Sequence, residues 1–249
     1  MVRLDRGTLA APLTWKAKVD MCFPDAASFW REAAVFEQID LAVRRATGFR
    51  SHARHTLPLP NNDFPAVWRK SKALKKALCA MSEGHCAYCQ ASVDDAGPGA
   101  VEHFRPKSLF PTLAYEWDNY FYSCERCNIF KLDKWPKRGE YVRPDAGNPA
   151  VRFIFTPLGR VKALAWDREA RNTVRDFGLN RAPLASKRRT AIRASLRGLR
   201  TMLKMTGLTD AQRHELAKRY IADRLSRFSE AINQNVRRVW GQAFPGLKI

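Results

Sequence analysis

Six cysteines and a few polar residues between them carry most of the chemical information in this chain. Cys86-Ala-Tyr-Cys89 and Cys124-Glu-Arg-Cys127 are two Cys-x-x-Cys pairs separated by 34 residues. Each pair sets two thiolates on one tight knuckle, and two knuckles supply the four soft donors of a closed tetrahedral zinc site. A full sulfur shell leaves no position for substrate, so the zinc expected here is structural. A single pair could be a redox dithiol; two pairs in one cytosolic chain favour metal. Cys22 and Cys79 fall in helical patterns and read as small buried core residues. His52, His55, His85 and His214 have no supporting context and receive no role.

The stretch between the knuckles holds Val-Glu-His-Phe-Arg-Pro-Lys at 101–107 and Tyr-Glu-Trp-Asp-Asn-Tyr at 115–120. The second knuckle runs straight into Asn128-Ile-Phe-Lys131. His103, Asn119 and Asn128 are separated by 16 and 9 residues. A strand, a return strand and a helix of those lengths could bring all three to one side of a zinc-stapled hairpin. Taken alone, His103 would read as a satisfied, partly buried histidine and Asn128 as a helix N-cap. Their joint occurrence with the cysteines points to a catalytic site.

The elements that must position these residues are mainly helical. Asp25 can cap a helix running to about Gly48, and a second helix begins near Asp63–Pro65 with Val67, Leu74, Leu78 and Met81 at helical spacing. Residues 82–150 break that periodicity with Gly, Pro and short strand-like runs. Val151–Pro157 and Arg160–Trp166, joined through Leu158–Gly159, read as a β-hairpin. Between Ser186 and Lys204, Ile192, Leu196, Leu199 and Leu203 make an apolar stripe. Arg189, Arg193, Arg197, Arg200 and Lys204 fall beside it, within an arc of roughly 80°. Thr209-Asp-Ala-Gln212 has the form of a capping box opening a long helix that Gly241 and Pro245 end. The expected fold class is therefore α+β and mainly helical. Its regions are helical 1–81, zinc-stapled 82–150, hairpin and connector 151–185, and basic helical 186–249.

The 249 residues carry 44 Lys and Arg against 24 Asp and Glu, a net charge of +20. Residues 1–80 contribute +7, residues 81–180 only +1, and residues 181–249 contribute +12. Basic arms thus flank a nearly neutral middle, which favours polyanionic partners over charge kept for solubility alone. At 45% hydrophobic and 27% charged residues the chain can bury a core, which excludes wholesale disorder. No apolar run approaches the roughly 18 residues of a spanning helix, and the first residues lack the apolar stretch of a secretory signal. A soluble, cytoplasmic protein with no membrane partner is expected.

Cys-x-x-Cys, Glu-His-Phe-x-Pro-Lys, Trp-x-Asn and Cys-x-x-Cys-Asn-x-x-Lys, in this order over about residues 82–135, resemble the zinc-stapled HNH endonucleases with a ββα-metal core. Asp-Phe-Gly-Leu-Asn-Arg at 176–181, followed by a basic helix, is similar to the small HNH nuclease subunit of Septu-type anti-phage systems, which works beside an ATPase subunit. The resemblance implies a metal-dependent endonuclease, the nuclease effector of a bacterial defence system. His103 would be the general base that activates water. Asn128 and Glu102 would be ligands of a catalytic Mg²⁺ or Mn²⁺, for which hard oxygen donors are suited. Asn119 would hold the loop bearing His103. Arg105, Lys107, Lys131, Arg193, Arg197 and Arg200 would meet nucleic-acid phosphates, DNA favoured over RNA. Glu102 and His103 are adjacent, so in a regular strand they face opposite sides. The family's commoner residues are Asp at the Glu102 position and His at the Asn128 position. The rival reading is a non-catalytic zinc module that binds nucleic acid or docks onto a partner; it requires the cysteines and basic helices but nothing of His103 or Asn128.

Overall fold

The computed structural model describes Met1, Leu4 and residues 67–93, 99–221, 226–246 and 248–249. The helix expected over 25–48, and Cys22, lie outside these residues. The helix expected from about residue 63 is described as two: α1 (Val67–Lys70) and α2 (Lys72–Met81). They are separated at Ser71, whose side chain caps α2 by accepting the Leu74 N–H. Leu74, Leu78 and Met81 form the buried face of α2.

Strand β1 (Gly99–His103) pairs antiparallel with β2 (Tyr120–Cys124), Gly99 opposite Cys124 and His103 opposite Tyr120. Every residue of β2 is buried, because α2 and the helix that follows it both pack on the hairpin. That helix, α3 (Glu125–Lys131), starts where β2 ends. Its N-cap is Cys124, whose sulfur accepts the Cys127 N–H at 3.5 Å. At Gly99 a side chain would collide with the Tyr122 ring across the ladder, so only glycine lets the strands close there.

A second antiparallel hairpin joins β3 (Phe153–Phe155) to β4 (Val161–Ala163), as the sequence pattern predicts, with shorter strands and a wider turn. Helix α4 (Arg168–Asp176) was not foreseen, since only Ala170 and Val174 of its nine residues are apolar. It is held by its cap. Asp167 accepts the Ala170 N–H at 2.9 Å and grips the Arg152 guanidinium at 2.5 and 2.6 Å.

Helix α5 (Ala182–Leu203) begins four residues before the expected Ser186, with Pro183 in its first turn. It buries Leu184, Arg188, Ile192, Leu196, Leu199 and Met202, with Leu203 partly buried. The capping box at Thr209 and Gln212 is present. The long helix expected after it is described as two, α6 (Asp210–Lys218) and α7 (Ser229–Ala243), with Arg219 and Tyr220 in a turn. Helix α7 runs through Gly241, where the sequence suggested a stop. The apolar face of α5 packs on α6 and α7. Gln234 and Asn235 of α7 bond the backbone of Phe153 and Phe155 at 2.9–3.1 Å, which ties α7 to the second hairpin. The buried apolar side chains form one core cluster, from Trp68 and Leu74 to Val236 and Trp240. Among the described residues no helix is long and apolar enough to cross a membrane.

Candidate metal centre and the histidine site beside it

The first knuckle is a tight turn, with Cys86 N–H on Ala91 O and Gln90 N–H on Cys86 O. Ala87 N–H on Tyr122 O anchors it to β2. The second knuckle is the β2–α3 junction. Between them Cys86, Cys89, Cys124 and Cys127 bring four buried sulfurs within 4.8 Å of one another, and none is in a disulfide. Cys89 and Cys124 sulfurs are 3.8 Å apart. A tetrahedral zinc with Zn–S bonds of about 2.3 Å requires sulfurs about 3.8 Å apart, so the donor set and its size fit zinc. Neither Cys79, partly buried against the core, nor His85 is in the cluster.

His103 closes β1 and rests between aromatic rings, edge to face with Trp68 at 4.8 Å and Tyr120 at 5.0 Å. Its Nε2 lies 2.9 Å from the Ala114 carbonyl, which only accepts. Nε2 therefore carries the hydrogen and Nδ1 holds a free lone pair. Burial lowers the imidazole pKa to about 3; the Ala114 bond opposes this, and Lys131, Lys107 and Arg69 add repulsion. The ring is neutral near pH 7. Asn119, buried in a 3-10 turn, accepts the Arg105 N–H at 2.8 Å and donates to the Arg105 and Leu113 carbonyls at 3.0 and 2.9 Å. Its amide thus spans the loop that leaves His103. Asn128 is half-buried on α3, and among the described residues its side-chain amide has no hydrogen-bond partner in the protein.

Two expected site residues stand elsewhere. Glu102 faces the opposite side of β1 from His103, as strand alternation dictates. Its side chain is 1% exposed, one carboxylate oxygen accepting from Tyr88 OH and the other lying 2.5 Å from Lys131 Nζ. Both oxygens are occupied, so Glu102 does not fit as a ligand of a catalytic cation. Lys131 is fully buried, and instead of meeting phosphate its ammonium bridges Glu102 and the His103 carbonyl, the latter at 2.5 Å. Burial lowers its pKa against the pull of Glu102. One buried ion pair thereby ties the first knuckle (Tyr88), the strand (Glu102, His103) and the helix carrying Asn128.

The remaining expected cations divide. Arg105 is paired with Glu140 at 2.6 Å and lies over Phe110 and Trp135. Lys107 sits 5.6 Å over the Trp68 ring, its pKa lowered by burial and by Arg69. Trp68 and Arg69 were missed from the sequence; the aromatic-basic run Trp68-Arg69-Lys70 ahead of Ser71 was the available signal. Arg193, Arg197 and Arg200 are exposed on α5, far along the chain from the histidine.

Arg181, which ends the Asp-Phe-Gly-Leu-Asn-Arg run, was also missed as a site residue. Its guanidinium donates to Cys127 Sγ at 3.4 and 3.5 Å, to Cys124 Sγ at 3.8 Å and to Cys89 Sγ at 3.9 Å. Burial works against its charge, but the Cys127 and Cys89 sulfurs outweigh this and hold its pKa above the usual arginine value.

No protein-family model matches the chain. It is similar to two curated proteins named Septu protein PtuB. One, from Bacillus thuringiensis, is 36% identical over 86 residues, covering 34% of this chain and 33% of that protein. The other, from Bacillus mycoides (strain KBAB4), is 24% identical over 182 residues, covering 60% of this chain and 62% of that protein. The matched stretches therefore span less than two thirds of either relative.

Proposed function

We propose that the chain is a metal-dependent HNH endonuclease acting in anti-phage defence, with His103 as its general base. The observation that carries this reading is the His103 tautomer. A neutral imidazole, fixed through Nε2 on a carbonyl, keeps Nδ1 free to take a proton from water. The β1–β2 hairpin, the α3 helix and the four-sulfur cluster support this reading, and similarity to two proteins named Septu protein PtuB supports the defence role. Asn119 fixes the loop after His103, and Lys131 fixes the backbone under it. Lys107 and Arg69 make the surroundings cationic, which favours a bound phosphodiester. Asn128 is the protein donor that remains for Mg²⁺ or Mn²⁺, with Glu102 removed from the shell. A divalent cation held there would neutralise charge on the cleaved phosphate. Nucleic acid, DNA before RNA, is the substrate, and an ATPase subunit is the partner of the intact system.

The test is cleavage of plasmid and of bulk RNA with and without Mg²⁺ or Mn²⁺, run with the chain alone and with its ATPase subunit. We expect His103→Ala to abolish cleavage while zinc content and fold persist. Equal cleavage by His103→Ala, with contaminating nuclease excluded, overturns the assignment. The seclusion of Glu102 favours a second reading, a zinc module that binds without cutting, which predicts binding and no cleavage under every condition.

A further inference from the structure

We infer that α5 carries a phosphate-binding track for a nucleic-acid backbone, built from Arg193, Arg197, Arg200 and Lys204. These side chains and Thr201 line a surface groove of about 390 Å³, and all five residues are exposed. Among the described residues none of the four cations forms a salt bridge with an acid. Arg189, which the sequence placed in the same ladder, is half-buried near the Gly159 turn and drops out. Successive cations are separated by rises of about 6, 4.5 and 6 Å along a helix that its buried face holds rigid. A regular row of three forked guanidiniums and one ammonium suits a repeating line of phosphates better than the irregular acids of a protein surface.

Binding is measured without divalent metal on His103→Ala protein, so that failure of the cleavage reading leaves this test intact. The probe is a short labelled DNA duplex, titrated at several salt concentrations. Arg193→Gln, Arg197→Gln and Arg200→Gln together should lower the slope of log affinity against log salt by about 2 to 3. An unchanged slope overturns the proposal. So does retained DNA affinity with lost co-purification of the ATPase subunit, which would make the row a protein-docking surface.

A separate observation carries a second inference: the geometry points to Arg181 as the positioning residue that secures the zinc. Four thiolates around Zn²⁺ leave a net charge of about −2 in a buried site. The Arg181 fork meets that charge, donating to three of the four sulfurs. It is seated under the Phe130 ring, 5.7 Å away, and Gly178, in the left-handed region, leaves room for that ring. The link also clamps the start of α5 to the knuckles. Arg181→Met should weaken zinc retention against a chelator by roughly 10-fold to 100-fold, with Arg181→Lys between it and the parent. In Co²⁺-loaded protein the thiolate-to-cobalt charge-transfer band should move to lower energy, since sulfurs that lose hydrogen bonds become better donors. Should Arg181→Met not accumulate in soluble form, Arg181→Lys is read by the same two measurements. Parent-like retention and an unshifted band overturn the assignment.

Discussion

Lys131 and Arg181, beside the cysteine-stapled hairpin, and Arg193, Arg197, Arg200 and Lys204 of α5 are chemically alike and do opposite things. Around the hairpin they turn inward: Lys131 meets Glu102 with both side chains 1% exposed, and Arg181 lies on the sulfurs. Along α5, Arg193, Arg197, Arg200 and Lys204 face outward over an open groove. Arg188, on the same helix, shows how sharp the divide is. It is 1% exposed, bonds the Gly159 carbonyl at 2.6 Å, and burial lowers its pKa to about 10. A buried cation acts as a cross-link whose removal strands a partner, whereas an exposed cation contributes field and little stability.

Four measurements can break or sharpen this contrast. The largest effect is expected at the metal. Cys89→Ser should unfold the hairpin region or render the protein insoluble, because a structural four-thiolate site supplies on the order of 10 kcal/mol of folding free energy. Elemental analysis showing no zinc in active, reduced protein would remove the basis of this prediction. Next is the buried pair. Lys131→Met should cost about 3 to 5 kcal/mol in denaturant unfolding, since Glu102 is left buried without its counter-charge and with only the Tyr88 hydroxyl to meet it, and Lys131→Met with Glu102→Gln should recover most of it. Equal loss in the single and double variants would show that packing, not charge, holds the site.

Asn119→Ala comes third. It strands the Arg105 N–H and two carbonyls, with an expected cost of about 1 to 3 kcal/mol and a displaced His103 loop, read as lost cleavage with zinc retained. The smallest effect belongs to α5. Changing Arg193, Arg197 and Arg200 to Gln should move stability by no more than about 0.5 kcal/mol per site while changing salt-dependent binding. A large loss of stability there would place these arginines with Arg188 rather than apart from it.

Much of the architecture was legible beforehand because it rests on local patterns. The two Cys-x-x-Cys knuckles, the α5 stripe at Ile192, Leu196 and Leu199, the Thr209 capping box and the second hairpin each need only nearby residues. Helix α4 was invisible to periodicity because a side-chain cap and Arg152, fifteen residues away, hold it in place. The break at Ser71 depends on a hydrogen bond that apolar spacing does not record.

The sequence by itself determined that four sulfurs would converge, that His103 and Asn119 would fall on the segment between the two knuckles, and that the charge would gather in residues 181–249. It could also state that Glu102 and His103 must face opposite ways, because side chains alternate along a strand. Only the tertiary structure decided the consequence. Helix α3 swings Lys131 under β1, the Tyr88 hydroxyl arrives from the first knuckle, and Glu102 becomes the centre of a buried cross-link. The same holds for Arg181, whose sulfur partners are 54 to 92 residues away in the chain. Which cations turn inward is set by the low-dielectric environment they enter and the partners waiting there. Residue type and spacing do not encode that environment; packing does.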